Sequence, residues 1–199
     1  DLCFAQKDPV SAITRMAESY SETVYSDKAK PNEITKKARE LLDYMLGKDG
    51  VTEVINNPVF KAHFLVNKSN GLVSSENKLI QAIGLVKSMG LNRINRKLIK
   101  KQYERFVFRP ASSNLLIDDY CRFDTQYVDL TESNFSDALL ASGSIPLVME
   151  GIKNISDAPR GIYRDGGIID YHFDFQLENS NGLILYPHFN STPKAGWFD

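Results

Sequence analysis

Cysteine is scarce in this chain: Cys3 and Cys121 are the only two in 199 residues, which fits buried thiols in a reduced compartment and excludes a disulfide framework. Nor is there an excess of charge of either sign. The 24 Lys and Arg stand against 25 Asp and Glu, a formal net charge of −1, so no global field draws the chain to nucleic acid or to an anionic membrane surface. No apolar run approaches membrane-spanning length, and the first residues lack the basic-then-apolar pattern of a signal peptide. Internal repeats and low-complexity tracts are absent too. Cytoplasm is therefore the default compartment. What is present, 42% apolar and 25% charged residues, suits one globular domain spanning 1–199.

The opening Leu2, Cys3, Phe4 and Ala5 are apolar with no capping residue ahead of them, and read as the tail of a buried helix that begins outside this sequence. Asp8-Pro9 then offers an N-cap and a first-turn proline, and Val10, Ile13, Met16, Ala17, Tyr20 and Val24 recur at helical spacing, which predicts a helix over 9–25. A second helix is expected over 32–46, with Ile34, Ala38, Leu41, Leu42 and Met45 on one face and Gly47 as its stop. Asn56-Asn57-Pro58 reads as a loop. Phe60, Ala62, Phe64 and Val66 alternate with more polar neighbours, predicting a strand that contains His63 and turns at Asn70-Gly71. A lone strand histidine is ordinarily a hydrogen-bonded or surface residue.

Ser74-Ser75 reads as the cap of a third helix, with Leu79, Ile80, Ile83, Val86 and Met89, ending at Gly90. Beyond it, Arg93, Arg96, Lys97, Lys100 and Lys101 surround Ile94, Leu98 and Ile99. This basic amphipathic stretch reads first as a solvated helix face, because its apolar side is narrow and holds no Trp or Phe; peripheral contact with anionic lipid is the alternative. Strands are predicted over 103–109 and 122–130. Strands interleaved with helices indicate an α/β fold in layers.

Two runs near the C-terminus carry the chemistry: Ala138-Leu-Leu-Ala-Ser-Gly-Ser-Ile-Pro146, and Gly161-Ile-Tyr-Arg-Asp-Gly-Gly-Ile-Ile-Asp170. In the second, an apolar extended segment stops at Asp165 and turns on Gly166 and Gly167, delivering one carboxylate to a sheet edge where backbone can approach a ligand. Asp-Gly is also a common hairpin signal, so locally a plain turn and a presented base both fit.

Together these runs, and Tyr163 to Asp174 as a unit, resemble the patatin-like phospholipases, a family of lipid acyl hydrolases. The likeness extends more weakly to Leu130-Thr-Glu-Ser-Asn-Phe135, Leu185-Tyr-Pro-His-Phe189 and Phe4-Ala-Gln-Lys-Asp-Pro9, leaving out residues near 30–60. It implies a three-layer α/β domain with a mostly parallel sheet flanked by helices, of which this chain forms the C-terminal two-thirds. It implies a Ser-Asp dyad acting on a lipid or ester substrate, with Asp165 as the base, Gly166 and Gly167 keeping the turn tight, and Ser142, Gly143 and Ser144 buttressing the loop. No metal or organic cofactor is implied.

The family's G-x-S-x-G elbow and its upstream glycine-rich oxyanion motif are missing here: Ser88 and Ser144 each lack the required flanking glycines. The nucleophile is therefore expected in a preceding segment of the same protein, and this chain alone is expected to be inactive. Ser144 is the one in-chain serine near the base in sequence, but Pro146 suits a rigid turn better than an elbow. Asp170, His172 and Asp174 would share one face of a strand and so suggest a metal site, yet they lack the distant ligands of a closed shell. Trp197-Phe198 is expected to dock on the core. A non-catalytic binding or scaffold module with the same shell is the rival reading, and a metal-dependent hydrolase a third.

Overall fold

The computed structural model describes residues 2–117, 123–172, 185, 191, 192, 194 and 196–198. Cys121, Asp174, His188 and the start of the strand expected over 122–130 lie outside them. The protein is mixed α/β, with one open five-stranded sheet: β1 (Phe64–Ser69), β2 (Tyr103–Arg109), β3 (Thr125–Asp129), β4 (Ile152–Lys153) and β5 (Ile162–Asp165), in the order β3-β2-β1-β5-β4. The helices are α1 (Pro9–Glu22), α2 (Pro31–Leu46), α3 (Gly50–Ile55), α4 (Lys78–Ile94) and α5 (Phe135–Ser142), with short 3-10 turns between them. No helix among the described residues is long and apolar enough to cross a membrane.

The sheet corrects the expectation of a mostly parallel one. Strand β1 runs antiparallel to both β2 and β5, and β4 antiparallel to β5; only β2 and β3 are parallel. A helix between two strands makes them parallel only when it carries the chain back across the sheet face. After β1 the chain instead makes an excursion through α4 and the 3-10 turn Arg96–Lys101 and returns to the end it left, where Asn70 N–H donates to Gln102 O at 2.9 Å.

The central strands are covered on both faces, so burial does not simply alternate along them: β2 is buried without a break from Arg105 to Phe108. Phe106 and Phe108 of β2 join Phe64, Val66 and Tyr163 in one apolar cluster, closed by Phe135, Ala138 and Ala141 of α5 and by Leu46 and Val54. Edge-to-face contacts, Phe64 on Phe135 and Phe106 on Tyr163, fix its packing. A second cluster gathers Ile99, Tyr103, Val73, Phe123, Ile168 and Ile169, with Phe198 packed against it.

Local signals explain the helices. Asp8 caps α1 through Ser11 N at 3.1 Å with Pro9 in its first turn, and Gly47 ends α2 at φ 64°. Arg15 reaches across to the Met45 carbonyl, a cation at the C-terminal end of α2. The cap of α4 is Asn77, whose Oδ1 takes Leu79 N and Ile80 N, and not Ser74-Ser75. Gly90 does not stop α4, since a lone mid-helix glycine costs only about 1 kcal/mol. The basic stretch divides between the end of α4 and the following 3-10 turn, and the opening Leu2–Ala5 is itself a 3-10 turn with Cys3 and Ala5 buried. His63 falls just ahead of β1, which starts at Phe64.

Candidate active site

Strand β5 ends on Asp165, paired with Val66 in the antiparallel register of β1. Three backbone contacts hold it there. Its N–H donates to Ser144 O at 3.3 Å, and its own carbonyl and that of Gly166 both accept from Asn67 Nδ2, at 2.9 and 3.1 Å. The chain then passes into a 3-10 turn, Gly166–Ile168, that runs directly against β1. A Cβ on Gly166 would overlap Leu65 O and stand 2.7 Å from its carbonyl carbon, so only glycine fits. At Gly167 an added Cβ meets first the Asp165 carboxylate, at 3.1 Å.

The carboxylate accepts one hydrogen bond among the described residues: Gly167 N–H donates to Oδ1 at 2.8 Å. Oδ2 takes none. Burial pushes the Asp165 pKa up from 3.8, with the Gly167 amide opposing it more weakly. Two depressions meet at this side chain. One, of about 240 Å³, is walled by Ile145, Pro146, Ile168, Tyr171 and Trp197; the other, of about 330 Å³, by His63, Phe64, Leu65, Ser142 and Asp170. A desolvated carboxylate with one open oxygen, beside a largely apolar hollow, has the attributes of a general base.

The other sequence-derived residues sit close by in supporting places. Ser142 ends α5, its Oγ donating to Leu139 O at 2.8 Å, and Gly143 follows as the cap. Ser144 is fully buried; its hydroxyl donates to Leu140 O at 2.8 Å while its carbonyl receives Asp165 N–H. That hydroxyl therefore points back at the helix. Trp197 is 45% exposed, with its amide on Ile168 O, and Phe198 lies over Tyr103.

Asp170 and His172 do not lie on a strand, so the shared face expected of them is not formed. Asp170 pairs with the buried Arg105, whose Nε and Nη2 approach its two oxygens at 2.7 and 2.6 Å, and His172 Nδ1 lies 2.8 Å from Lys194 O. This Arg105 fork locks the segment after the turn onto β2. Arg96 adds a guanidinium contact to Ile169 O.

Sequence reading passed over Asn67, Arg105 and the partners of His63. Asn67 and Arg105 are polar residues inside apolar strands, both essentially fully buried, and that placement was the available signal. His63 donates or accepts at both ring nitrogens: Nδ1 lies 2.8 Å from Lys61 O and Nε2 2.6 Å from Ser113 Oγ. Because a carbonyl only accepts, Nδ1 carries the proton and Nε2 accepts from the Ser113 hydroxyl. Burial lowers the pKa of His63, keeping it neutral.

No family profile, no curated protein and no solved structure matches the chain, so the site stands on its own geometry.

Proposed function

We propose that this chain carries the base of a serine-dependent lipid acyl hydrolase, of phospholipase A or esterase type, as the C-terminal two-thirds of a three-layer patatin-like domain. The observation that supports it is the Asp165 carboxylate, desolvated at an apolar hollow with one oxygen tied to Gly167 N–H and the other open. In this reading the nucleophilic serine belongs to a segment preceding these residues in the protein. Its Oγ meets Asp165 Oδ2, which takes the hydroxyl proton as oxygen attacks the ester carbonyl and passes that proton to the departing alcohol. Water then repeats the cycle on the acyl-enzyme, releasing the fatty acid. A raised pKa makes Asp165 a stronger base than an exposed aspartate. The Gly166 approach to Leu65 and the Ser144 carbonyl hold it in place. The route takes no metal or organic cofactor.

A fluorophosphonate probe applied to the full-length protein, followed by peptide mapping, tests this. The expected result is label on a serine outside these 199 residues, with a rate about 100-fold lower in Asp165→Asn. A second reading rests on the His63–Ser113 contact, where a neutral imidazole oriented by a backbone carbonyl accepts a serine hydroxyl proton. Label on Ser113 would transfer the roles to that pair. Absence of label would favour the non-catalytic module.

A further inference from the structure

Helix α4 turns its small and polar residues inward. Gln81, Gly84 and Ser88 are buried, whereas Leu79, Val86 and Ile94 are 71%, 66% and 78% exposed, with Ile83 and Met89 more than half exposed. Specific contacts impose this orientation. A Cβ on Gly84 would lie 2.8 Å from Val73 N, so the helix rests against backbone through that glycine. Gln81 accepts Leu147 N–H at 2.7 Å and donates to Ser75 O at 2.9 Å, and Ser88 meets Tyr103 OH at 3.1 Å. Rotating α4 to bury Leu79 and Val86 would strand these buried polar groups. The protein thus keeps an apolar row, Leu79, Ile83, Val86 and Ile94, facing outward, with Gly90 between its last two members.

The charges around that row select its occupant. From Lys78 to Lys101 the chain has seven cations and no Asp or Glu. Lys78 and Lys87 flank the row and Arg93 stands within it, all exposed. The other exposed apolar helix, α1, with Val10 and Tyr20, carries Glu18 and Glu22 and has no such bias. An apolar ridge on a helix that carries cations and no acid matches an anionic lipid surface, with methyl groups entering the acyl boundary and cations meeting phosphate headgroups.

We propose that α4 docks the protein on an anionic lipid surface through Leu79, Ile83, Val86 and Ile94, with Lys78, Lys87 and Arg93 on the headgroups. The same helix holds both walls of the smaller hollow: Gln81 binds the 145–149 loop that carries Ile145 and Pro146, and Asn92 Nδ2 donates to the carbonyl of Phe198, next to Trp197. Docking would bring that hollow to the bilayer, a consequence that rests on the hydrolase reading; the docking itself does not.

The test is co-flotation of the full-length protein with phosphatidylcholine vesicles, with and without one third phosphatidylserine. The expected result is retention on the mixed vesicles alone, falling with added salt, roughly fivefold weaker for each of Lys87→Ala and Arg93→Ala and about tenfold or more weaker for the Leu79→Ser/Val86→Ser double variant. Circular dichroism should be unchanged in all of them, because the substituted side chains face outward, and the two cation variants stand as the test should the double variant unfold. Asp165→Asn should float like wild type, which separates docking from catalysis. Retention on neither vesicle, or equal retention on both that the variants leave intact, would overturn the proposal. So would a concentration-dependent dimer abolished by the double variant in a protein that ignores vesicles.

Discussion

Asn67 grips Asp165 from across the sheet, its amide Nδ2 donating to the Asp165 carbonyl at 2.9 Å and to the next carbonyl, that of Gly166, at 3.1 Å. The two residues are 98 positions apart, and this side chain clamps the backbone at the point where strand becomes turn. Asn67→Ala leaves two carbonyls beneath β1 without that donor, and a loss of about 2–3 kcal/mol in unfolding free energy is expected from urea denaturation. If Asp165 is the base, turnover should fall further than stability does, since the carboxylate loses its aim.

The two glycines of the turn should respond differently. Gly166→Ala drives a methyl into the Leu65 carbonyl, and about 3 kcal/mol of destabilisation is expected. Gly167→Ala meets only the near oxygen of Asp165 and should unfold within about 1 kcal/mol of wild type. Comparing their thermal melts checks whether close approach, not left-handed backbone, is what Gly166 supplies; neither glycine has positive φ.

Burial raises the folded pKa of Asp165 above its ordinary 3.8. Its contribution to stability is therefore full below about pH 3.8 and lost as pH rises through the folded pKa. At neutral pH the ionised form is a cost that an amide avoids. Asp165→Asn should melt above wild type at pH 7, with the gap closing as pH falls towards 4, as read by differential scanning calorimetry across that range. A wild-type advantage at pH 7 would show that the carboxylate is better compensated than its surroundings indicate.

Arg105 and Asp170 form the buried fork that ties the segment after the turn to β2. Removing one partner takes the bidentate contact from the buried charge of the other, so Arg105→Ala or Asp170→Asn should each cost about 3–5 kcal/mol. A double-mutant cycle through Arg105→Met, Asp170→Leu and the two together should show a strong coupling energy, because the apolar pair removes both charges of the fork at once.

Much of this architecture was legible in local sequence, for reasons that also mark where legibility stops. Strand β2 is legible at its observed bounds because Phe106, Val107 and Phe108 cluster in a run that Pro110 closes, and α1 and α2 declare themselves through Asp8-Pro9 and Gly47. Strand direction was not readable. Alternation says which residues share a face, not which way the neighbouring strand runs, and the α4 excursion looks in sequence like a crossover. Helix α3, at six residues, is too short to show a period. At the site, Asp165, Gly166 and Gly167 form one contiguous turn and could be read directly. Asn67, Arg105 and the Ser144 carbonyl reach the same place from distant elements, so only the fold reveals them. The inverted face of α4 was hidden for the same reason, since its apolar residues recur at helical spacing whichever side they face.

The central claim, that Asp165 is a catalytic base, is tested most directly by kcat/KM of the full-length protein on a phospholipid and on a short-chain ester, wild type against Asp165→Asn. The variant is expected to lose about 100-fold or more in kcat while folding at least as stably as wild type at pH 7. Turnover within about twofold of wild type in a folded Asp165→Asn protein would contradict the assignment.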